Sequence, residues 1–171
     1  MLEEVALTVD GTPATLEAEL TDSLLRALRQ AGRTQVTGGC EQGECGSCSV
    51  TLDGVLVASC LVPAVVCSGA DVRTAPGVLG SDLAEALAHH GAVQCGFCTP
   101  GVVVAAEAVL VEAARRAAPL APPQVREALA GNLCRCTGYE GIVAAVVEVA
   151  AARSGAGGGA GGGALGGAGS R

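Results

Sequence analysis

The spacing of the cysteines constrains this chain more than any other feature of its sequence. Eight of the nine cysteines fall into two sets of four. The first set extends C-x4-C-x2-C by a fourth cysteine, and its members are Cys40, Cys45, Cys48 and Cys60. The second set combines C-x2-C with C-x-C, and its members are Cys95, Cys98, Cys134 and Cys136. Two such groups of thiols point to metal binding or redox chemistry.

The start of the chain and its apolar stretches predict a cytoplasmic protein. Met1 is followed by acidic residues and an alternating segment, whereas a secretory signal has a basic region and then an apolar one. The most apolar stretch, residues 101–111, is interrupted by Glu107 and is shorter than the roughly 20 residues that span a bilayer. Because the cytosol keeps thiols reduced, the cysteines are expected to bind metal instead of forming a disulfide framework.

Charge and composition exclude two classes of partner. The net charge is −7, and all ten basic residues are scattered arginines. A protein that binds nucleic acid or an anionic membrane needs a basic stripe, which this sequence lacks. Because the chain contains one Phe, one Tyr and no Trp, we expect a core built from Ala, Val and Leu.

Alternating apolar residues predict a small mixed β/α unit in residues 1–76. Two Asp-Gly pairs, beginning at Asp10 and Asp53, predict tight hairpin turns between strands. Thr21 and Asp22 are predicted to cap a helix that lies between the first hairpin and the first cysteine loop.

Residues 77–153 change to helical periodicity and predict an all-α unit of four helices. The first three of these helices are predicted to open near Ser81, at Pro100 with Thr99 as its N-cap, and near Pro122. The last predicted helix covers residues 141–153. Residues 154–171 are almost entirely Gly and Ala, a composition that predicts a disordered tail. The chain is therefore predicted to be α+β, with two domains and a tail.

The loop around the first cysteine set favours an iron–sulfur cluster. Its C-x4-C-x2-C spacing is that of a plant-type [2Fe–2S] site. Gly39, Gly43 and Gly46 allow the backbone to approach a cluster closely and to direct N–H groups at its sulfurs. The hairpin at Asp53 would return Cys60 to this loop as the fourth ligand. Zinc also accepts four cysteines and is the alternative metal.

The second cysteine set is less specific, and its spacing leaves both iron–sulfur and zinc open. Its first pair lies just before a predicted helix and its second pair lies between two helices, so the pairs can meet at one end of the helical unit. Helix N-termini there would stabilise the negative charge of thiolates. The only aromatic residues, Phe97 and Tyr139, flank these pairs and are candidates either for shielding the site or for core packing.

Four strings around the cysteines closely resemble the iron–sulfur subunit of molybdenum hydroxylases, the family of xanthine dehydrogenase, aldehyde oxidoreductase and carbon monoxide dehydrogenase. They are G-C-E-Q-G-E-C-G-S-C from Gly39, S-C-L from Ser59, Q-C-G-F-C-T-P-G from Gln94 and G-N-L-C-R-C-T-G-Y from Gly131. The resemblance covers about residues 3–152. It implies an N-terminal β-grasp ferredoxin-like domain and a C-terminal four-helix-bundle domain, each with one [2Fe–2S] cluster.

The resemblance also implies roles for individual residues. The first cysteine set would hold the cluster nearer the flavin, and the second set would hold the cluster nearer the molybdenum. Gln94 would contact the pterin cofactor, and Cys136 would lie on the electron path from the pterin. Cys67 matches no ligand position and is expected to be a small buried hydrophobe. His89 and His90 are expected to end a helix.

The implied function is electron transfer within a molybdenum-dependent oxidoreductase. Electrons would leave molybdopterin on a large partner subunit, pass through both clusters and reach FAD on a medium partner subunit, in a hetero-oligomer such as a dimer of heterotrimers. The first cysteine loop looks most like that of bacterial xanthine or hypoxanthine dehydrogenases, while aldehydes, carbon monoxide and N-heterocycles remain alternative substrates. A stand-alone ferredoxin and a zinc-stabilised interaction module are the alternatives from other functional classes.

Overall fold

A five-stranded mixed sheet forms the N-terminal part of the computed structural model, which describes residues 1–156. The strands are β1 (Leu2–Val9), β2 (Thr12–Glu19), β3 (Ser49–Leu52), β4 (Val55–Ala58) and β5 (Asp71–Arg73). Their order is β2-β1-β5-β3-β4, with β1 and β5 parallel and the other neighbours antiparallel. Both Asp-Gly turns are confirmed, because Asp10 and Asp53 take positive φ angles of 51° and 50° between paired strands.

Helix α1 (Leu24–Gln30) shares one hydrophobic core with the sheet. The largest buried side chains of this core are Val5, Val9, Leu16, Leu24, Leu25, Leu28, Val36, Val50 and Val72. The prediction that Thr21 and Asp22 cap this helix is wrong. Ser23 is the cap, and its hydroxyl accepts the amide of Arg26 at 3.3 Å. The carboxylate of Asp22 is buried and accepts the amide of Glu19 at 2.9 Å, so it is engaged by the preceding turn.

Two short 3-10 helices, Ser59–Leu61 and Ala64–Cys67, connect β4 to β5. Cys60 lies in the first of them, beside the cysteine loop. Cys67 ends the second and is buried in the core of the sheet, which confirms its expected role as a small hydrophobe. Burial raises the pKa of the Cys67 thiol.

Five helices form the C-terminal part. They are α2 (Ala75–Val78), α3 (Ser81–His89), α4 (Thr99–Arg116), α5 (Pro122–Ala128) and α6 (Glu140–Ala156). The predicted openings of α3 and α5 are confirmed. Helix α4 begins one residue earlier than predicted, since Cys98 and not Thr99 is its N-cap. His89 ends α3 and His90 caps it, as expected.

Helix α6 also runs further than predicted, to Ala156 instead of residue 153. The prediction that the tail begins at residue 154 is therefore wrong for its first three residues. The hydroxyl of Ser154 donates to the carbonyl of Ala150 one turn earlier, so this polar side chain is satisfied within the helix. The rest of the predicted tail, residues 157–171, lies outside the described residues.

The buried residues of α2 to α6 and their connections form a second core. Ala, Val and Leu make up this core except for Cys98 and Ile142, as the composition predicts. The sheet core ends at Val72 and the helical core begins at Ala75. The domain boundary at residue 76 and the four-helix-bundle arrangement stay predictions. No helix in residues 1–156 is long and apolar enough to cross a membrane.

Arg153 ties three helices of the C-terminal part together. Its guanidinium contacts Asp82 on α3 at 2.7 Å and the buried Glu107 on α4 at 2.8 Å. Glu107 also accepts the amide of Gly80 at 3.2 Å. Arg153 lowers the pKa of Asp82 to about 2. Because folding lowers this pKa, the contribution of the Asp82 carboxylate to folding stability is fully present above pH 3.8, its ordinary pKa. That contribution is lost as the pH falls through about 2.

Arg153→Ala is expected to destabilise the protein by about 1–2 kcal/mol, because it leaves the buried Glu107 carboxylate without its charged partner. For a chain of this size, that loss lowers the Tm by about 2–8 °C in thermal unfolding at neutral pH. Arg116→Ala is the matched control, since Arg116 pairs with Glu112 in an exposed (i, i+4) bridge. Equal losses in the two variants would contradict the role assigned to Arg153.

Candidate metal centres

The first cysteine loop directs backbone amides at its own sulfurs. The Sγ of Cys40 accepts the amides of Gln42 and Cys45, each at 3.4 Å, and the Sγ of Cys45 accepts the amide of Cys40 at 3.5 Å. Left-handed residues curl the loop in this way, among them Gly43 with φ 79° and Gly46 with φ 66°. The amide hydrogen bonds, that of Gln42 above all, lower the pKa of Cys40 to about 6.

The β3–β4 hairpin returns Cys60 to Cys48, as the sequence predicts. Cys48 is buried just before β3, and Cys60 follows β4 by two residues. Ser59 fastens the turn by donating its hydroxyl to the carbonyl of Cys48 at 2.7 Å. The pKa of Cys60 is raised to about 11, mainly by burial and to a smaller extent by the neighbouring Cys48 thiol.

The second cysteine set also meets in pairs. The Sγ atoms of Cys95 and Cys136 lie 3.4 Å apart, and Cys134 is close enough to the buried Cys98 thiol to raise its pKa. The amide of Phe97 lowers the pKa of Cys95, whereas the hydrogen bond to Cys95 raises the pKa of Cys136. Burial is the largest cause that raises the pKa of Cys98 to about 12. Burial alone would raise the pKa of Cys134, but hydrogen bonds to its sulfur outweigh burial and lower the pKa to about 7.

This pairwise arrangement fits a binuclear cluster. A [2Fe–2S] cluster needs two thiolates on each of two irons, whereas zinc needs four ligands around one ion. Both sets supply two pairs of sulfurs, and backbone amides donate to sulfurs in both sets. No three His, Cys, Asp or Glu side chains within residues 1–156 converge as ligands of a single ion.

The two sets differ in exposure. Cys95 and Cys136 are exposed on one face, beside the exposed Gln94. Two exposed apolar side chains, Phe97 at 52% and Leu133 at 51%, line the same cavity as Cys95 and Cys136 and so share this face. Gln94 directly precedes Cys95 in the chain and is exposed. Its contact with a pterin stays a prediction.

The two aromatic residues have different surroundings. The Tyr139 hydroxyl accepts the amide of Cys134 at 2.6 Å and donates to the carbonyl of Asn132 at 2.9 Å, so it braces the cysteine loop. Phe97 instead lines a cavity of about 400 Å³ between the two cysteine sets. Cysteines of both sets also line this cavity. Both aromatics thus contact the site, although Phe97 remains half exposed.

A direct backbone contact joins the two cysteine loops. The amide of Leu133 donates to the carbonyl of Cys45 at 2.9 Å, and Leu133 directly precedes Cys134 in the chain. Asn132 is buried and donates its side-chain amide to the carbonyl of Gly46 at 3.0 Å. A Cβ on Gly101 would lie 2.1 Å from that same carbonyl oxygen, so only glycine lets α4 approach the loop.

Sequence reasoning missed Asn132 and Gly101. Both residues lie within the sequence strings that resemble the iron–sulfur subunits of molybdenum hydroxylases, and this position was the only sign in the sequence of their importance. Their partners lie far away in the chain, since Asn132 and Gly46 are 86 residues apart. Local spacing contains no information on such a contact.

Two family models match the chain in tandem. A 2Fe-2S iron-sulfur cluster binding domain matches residues 7–69, and a [2Fe-2S] binding domain matches residues 72–147. Together with the paired sulfurs, these matches define an iron–sulfur protein with two [2Fe–2S] domains.

Relatives narrow this class. The xanthine dehydrogenase iron-sulfur-binding subunit of Escherichia coli O157:H7 is 44% identical over 84% of this chain and 92% of its own length. The nicotine 6-hydroxylase small subunit of Paenarthrobacter nicotinovorans is 41% identical over 85% and 88%. A chain of quinoline 2-oxidoreductase from Pseudomonas putida 86 superposes with a TM-score of 0.81 at 40% identity, over 90% and 95%. The chain belongs to the iron–sulfur subunits of the molybdenum hydroxylase, or xanthine dehydrogenase, family.

Proposed function

We propose that this chain relays electrons from a molybdopterin centre on a large partner subunit to FAD on a medium partner subunit. The hydrogen bond from the Leu133 amide to the Cys45 carbonyl is the observation that carries this proposal. It links the two cysteine loops through a short run of backbone, and both sets line one cavity. A [2Fe–2S] cluster at each set would accept and release one electron at a time.

The proposed ligands follow the two sets. The cluster nearer FAD would be held by Cys40, Cys45, Cys48 and Cys60. The cluster nearer the molybdenum would be held by Cys95, Cys98, Cys134 and Cys136. Exposure supports this order, since two cysteines of the second set reach the surface at a partly apolar face. We propose that this face docks on the large subunit, with Gln94 directed towards the pterin.

The proposed domains keep the order of the sequence prediction. Residues 1–76 are proposed to be a β-grasp ferredoxin-like domain, and residues 77–153 a four-helix bundle of α3 to α6. The mixed sheet with one packed helix supports the first proposal, and the single helical core supports the second. We propose a cytoplasmic assembly, built as a dimer of heterotrimers.

Xanthine or another purine is the proposed substrate of the assembled enzyme. The relative named for xanthine dehydrogenase supports this choice. The relatives named for nicotine and quinoline make an N-heterocycle dehydrogenase the second candidate. Because the substrate would bind in the large subunit, the test is anaerobic reduction of the purified assembly by xanthine, by nicotine and by an aldehyde in turn.

Leu133→Glu is expected to reduce retention of the large subunit by the tagged chain at least about tenfold, because it buries a charge at the proposed docking face. Val111→Glu is the control. Val111 is similarly exposed at 46%, and it lies about 18 Å along α4 from Thr99 at 1.5 Å per residue. Molybdenum, FAD and iron are measured in the purified material from the native host.

The outcomes separate the functional classes. Molybdenum and FAD that co-purify with the wild type and with Val111→Glu, but not with Leu133→Glu, support the relay. Iron without molybdenum in the wild type would indicate a stand-alone ferredoxin. Zinc in place of iron, after anaerobic purification, would indicate a structural module and would overturn the proposal.

A further inference from the structure

The loop that contains Cys134 places a hydroxyl beside its sulfur. The Oγ1 of Thr137 lies 3.1 Å from the Sγ of Cys134, and the amide of Thr137 donates to the same sulfur at 3.5 Å. The Thr137 hydroxyl also accepts the amide of Tyr139 at 3.2 Å. Since that bond uses an oxygen lone pair, the hydroxyl proton stays free to donate to sulfur.

Ligation would settle the direction of this hydrogen bond. A cysteine that binds iron is a thiolate, which has no proton to give. Thr137 must then be the donor and Cys134 the acceptor. No other hydroxyl in residues 1–156 is hydrogen-bonded to a sulfur of either cysteine set, where the remaining donors are backbone amides or cysteines.

The surrounding loop holds the hydroxyl in place. Gly138 and Tyr139 take left-handed φ angles of 67° and 68°, which turn the backbone so that the Tyr139 amide faces Thr137. The Tyr139 ring in turn braces the amide of Cys134 and the carbonyl of Asn132. Thr137 therefore has its position fixed by hydrogen bonds on both sides of its own side chain.

We infer that Thr137 is a positioning residue that raises the reduction potential of the second cluster by donating its hydroxyl to the Cys134 sulfur. Reduction adds negative charge to a cluster, and a hydrogen bond to a ligand sulfur stabilises that charge. The inference rests on the proposed ligand set at this site but not on the partner subunits. It gives the chain a means of making the second cluster easier to reduce, independently of the first.

Thr137→Val removes the hydroxyl and keeps the shape of the side chain. At a fixed potential, we expect the ratio of reduced to oxidised second cluster to fall about tenfold, which for one electron corresponds to 59 mV. Thr137→Ser keeps the donor and is expected to restore the wild-type potential. Thr21→Val makes the same chemical change at an exposed position before α1 and is expected to shift neither cluster.

The measurement is a redox titration of the purified full chain, monitored by EPR, in which the first cluster is an internal reference. A shift confined to the second signal in Thr137→Val, and absent in Thr137→Ser, supports the inference. An unchanged second potential, or equal shifts of both signals, overturns it. Where Thr137→Val fails to load the second cluster, Thr137→Ala is titrated with the same criteria. A wild type without a second [2Fe–2S] signal would instead refute the ligand set itself.

Discussion

Cys136→Ser is expected to lower turnover of the assembled enzyme by at least about 100-fold, beyond the cost of losing a residue that only supports a ligand. Cys136 pairs with Cys95 across 3.4 Å at the exposed end of the second cysteine set. A serine hydroxyl is not a thiolate, so one iron of the proposed cluster would lose half of its protein ligands. Electrons would then have no route from the docking face to the first set.

The test of this variant distinguishes substrate oxidation at the molybdenum centre from electron transfer through the clusters. Under anaerobic conditions, substrate is expected still to reduce the molybdenum centre, while the first cluster stays oxidised in the EPR spectrum. Cys67→Ser is the matched control, because Cys67 is the one cysteine outside both sets and is 1% exposed. It is expected to keep both cluster signals and turnover. Unimpaired turnover in Cys136→Ser would remove Cys136 from the electron path.

The sequence predicts correctly those features that depend on residues close together in the chain. Residues close in the chain, such as the pairs at Asp10 and Asp53, specify their turns through local backbone preferences, and the structure confirms both. The return of Cys60 to Cys48 follows from one short hairpin and is equally predictable. The cysteine spacing similarly predicts two thiol sets without any knowledge of the packing.

The predictions from sequence failed where several residues were equally good candidates for a helix cap or a helix end, or where a contact joined residues far apart in the chain. Ser23, Asp22 and Thr21 are all good helix caps, and the buried bond of Asp22 to the preceding turn leaves the position to Ser23. Helix α6 passes residue 153 and ends at Ala156, although the composition from Ser154 onward gives no helical signal. The contact of Asn132 with Gly46 joins two domains and lies beyond any local pattern.

The junction between the two cysteine loops is tight enough that one methyl group should disrupt it. Gly101 lies buried in the first turn of α4 against the loop of the first set. A Cβ there would lie 2.1 Å from the carbonyl oxygen of Gly46 and 3.0 Å from the Cα of Ser47. Both atoms belong to backbone, so neither can rotate away as a side chain would. The loop of the first set would have to shift as a whole.

Gly101→Ala is therefore expected to destabilise the protein by about 3 kcal/mol or more, although alanine has the better helix propensity. The shift would stretch the 2.9 Å bond between Leu133 and Cys45 and so slow transfer between the two clusters. We expect turnover to fall about tenfold, as for the loss of a supporting contact. Thermal unfolding, steady-state turnover and the magnetic interaction between the two reduced clusters measure these effects.

Gly131→Ala provides the matched control for this junction. Gly131 lies at the start of the second cysteine loop, and a Cβ there would meet no atom within 4 Å. The same addition of one methyl group is therefore expected to change the unfolding free energy by no more than about 0.5 kcal/mol. Loss of stability in both variants would show that the loops tolerate no alanine at all. Wild-type stability and turnover in Gly101→Ala would instead mean that the contact between Gly101 and Gly46 does not set the distance between the clusters.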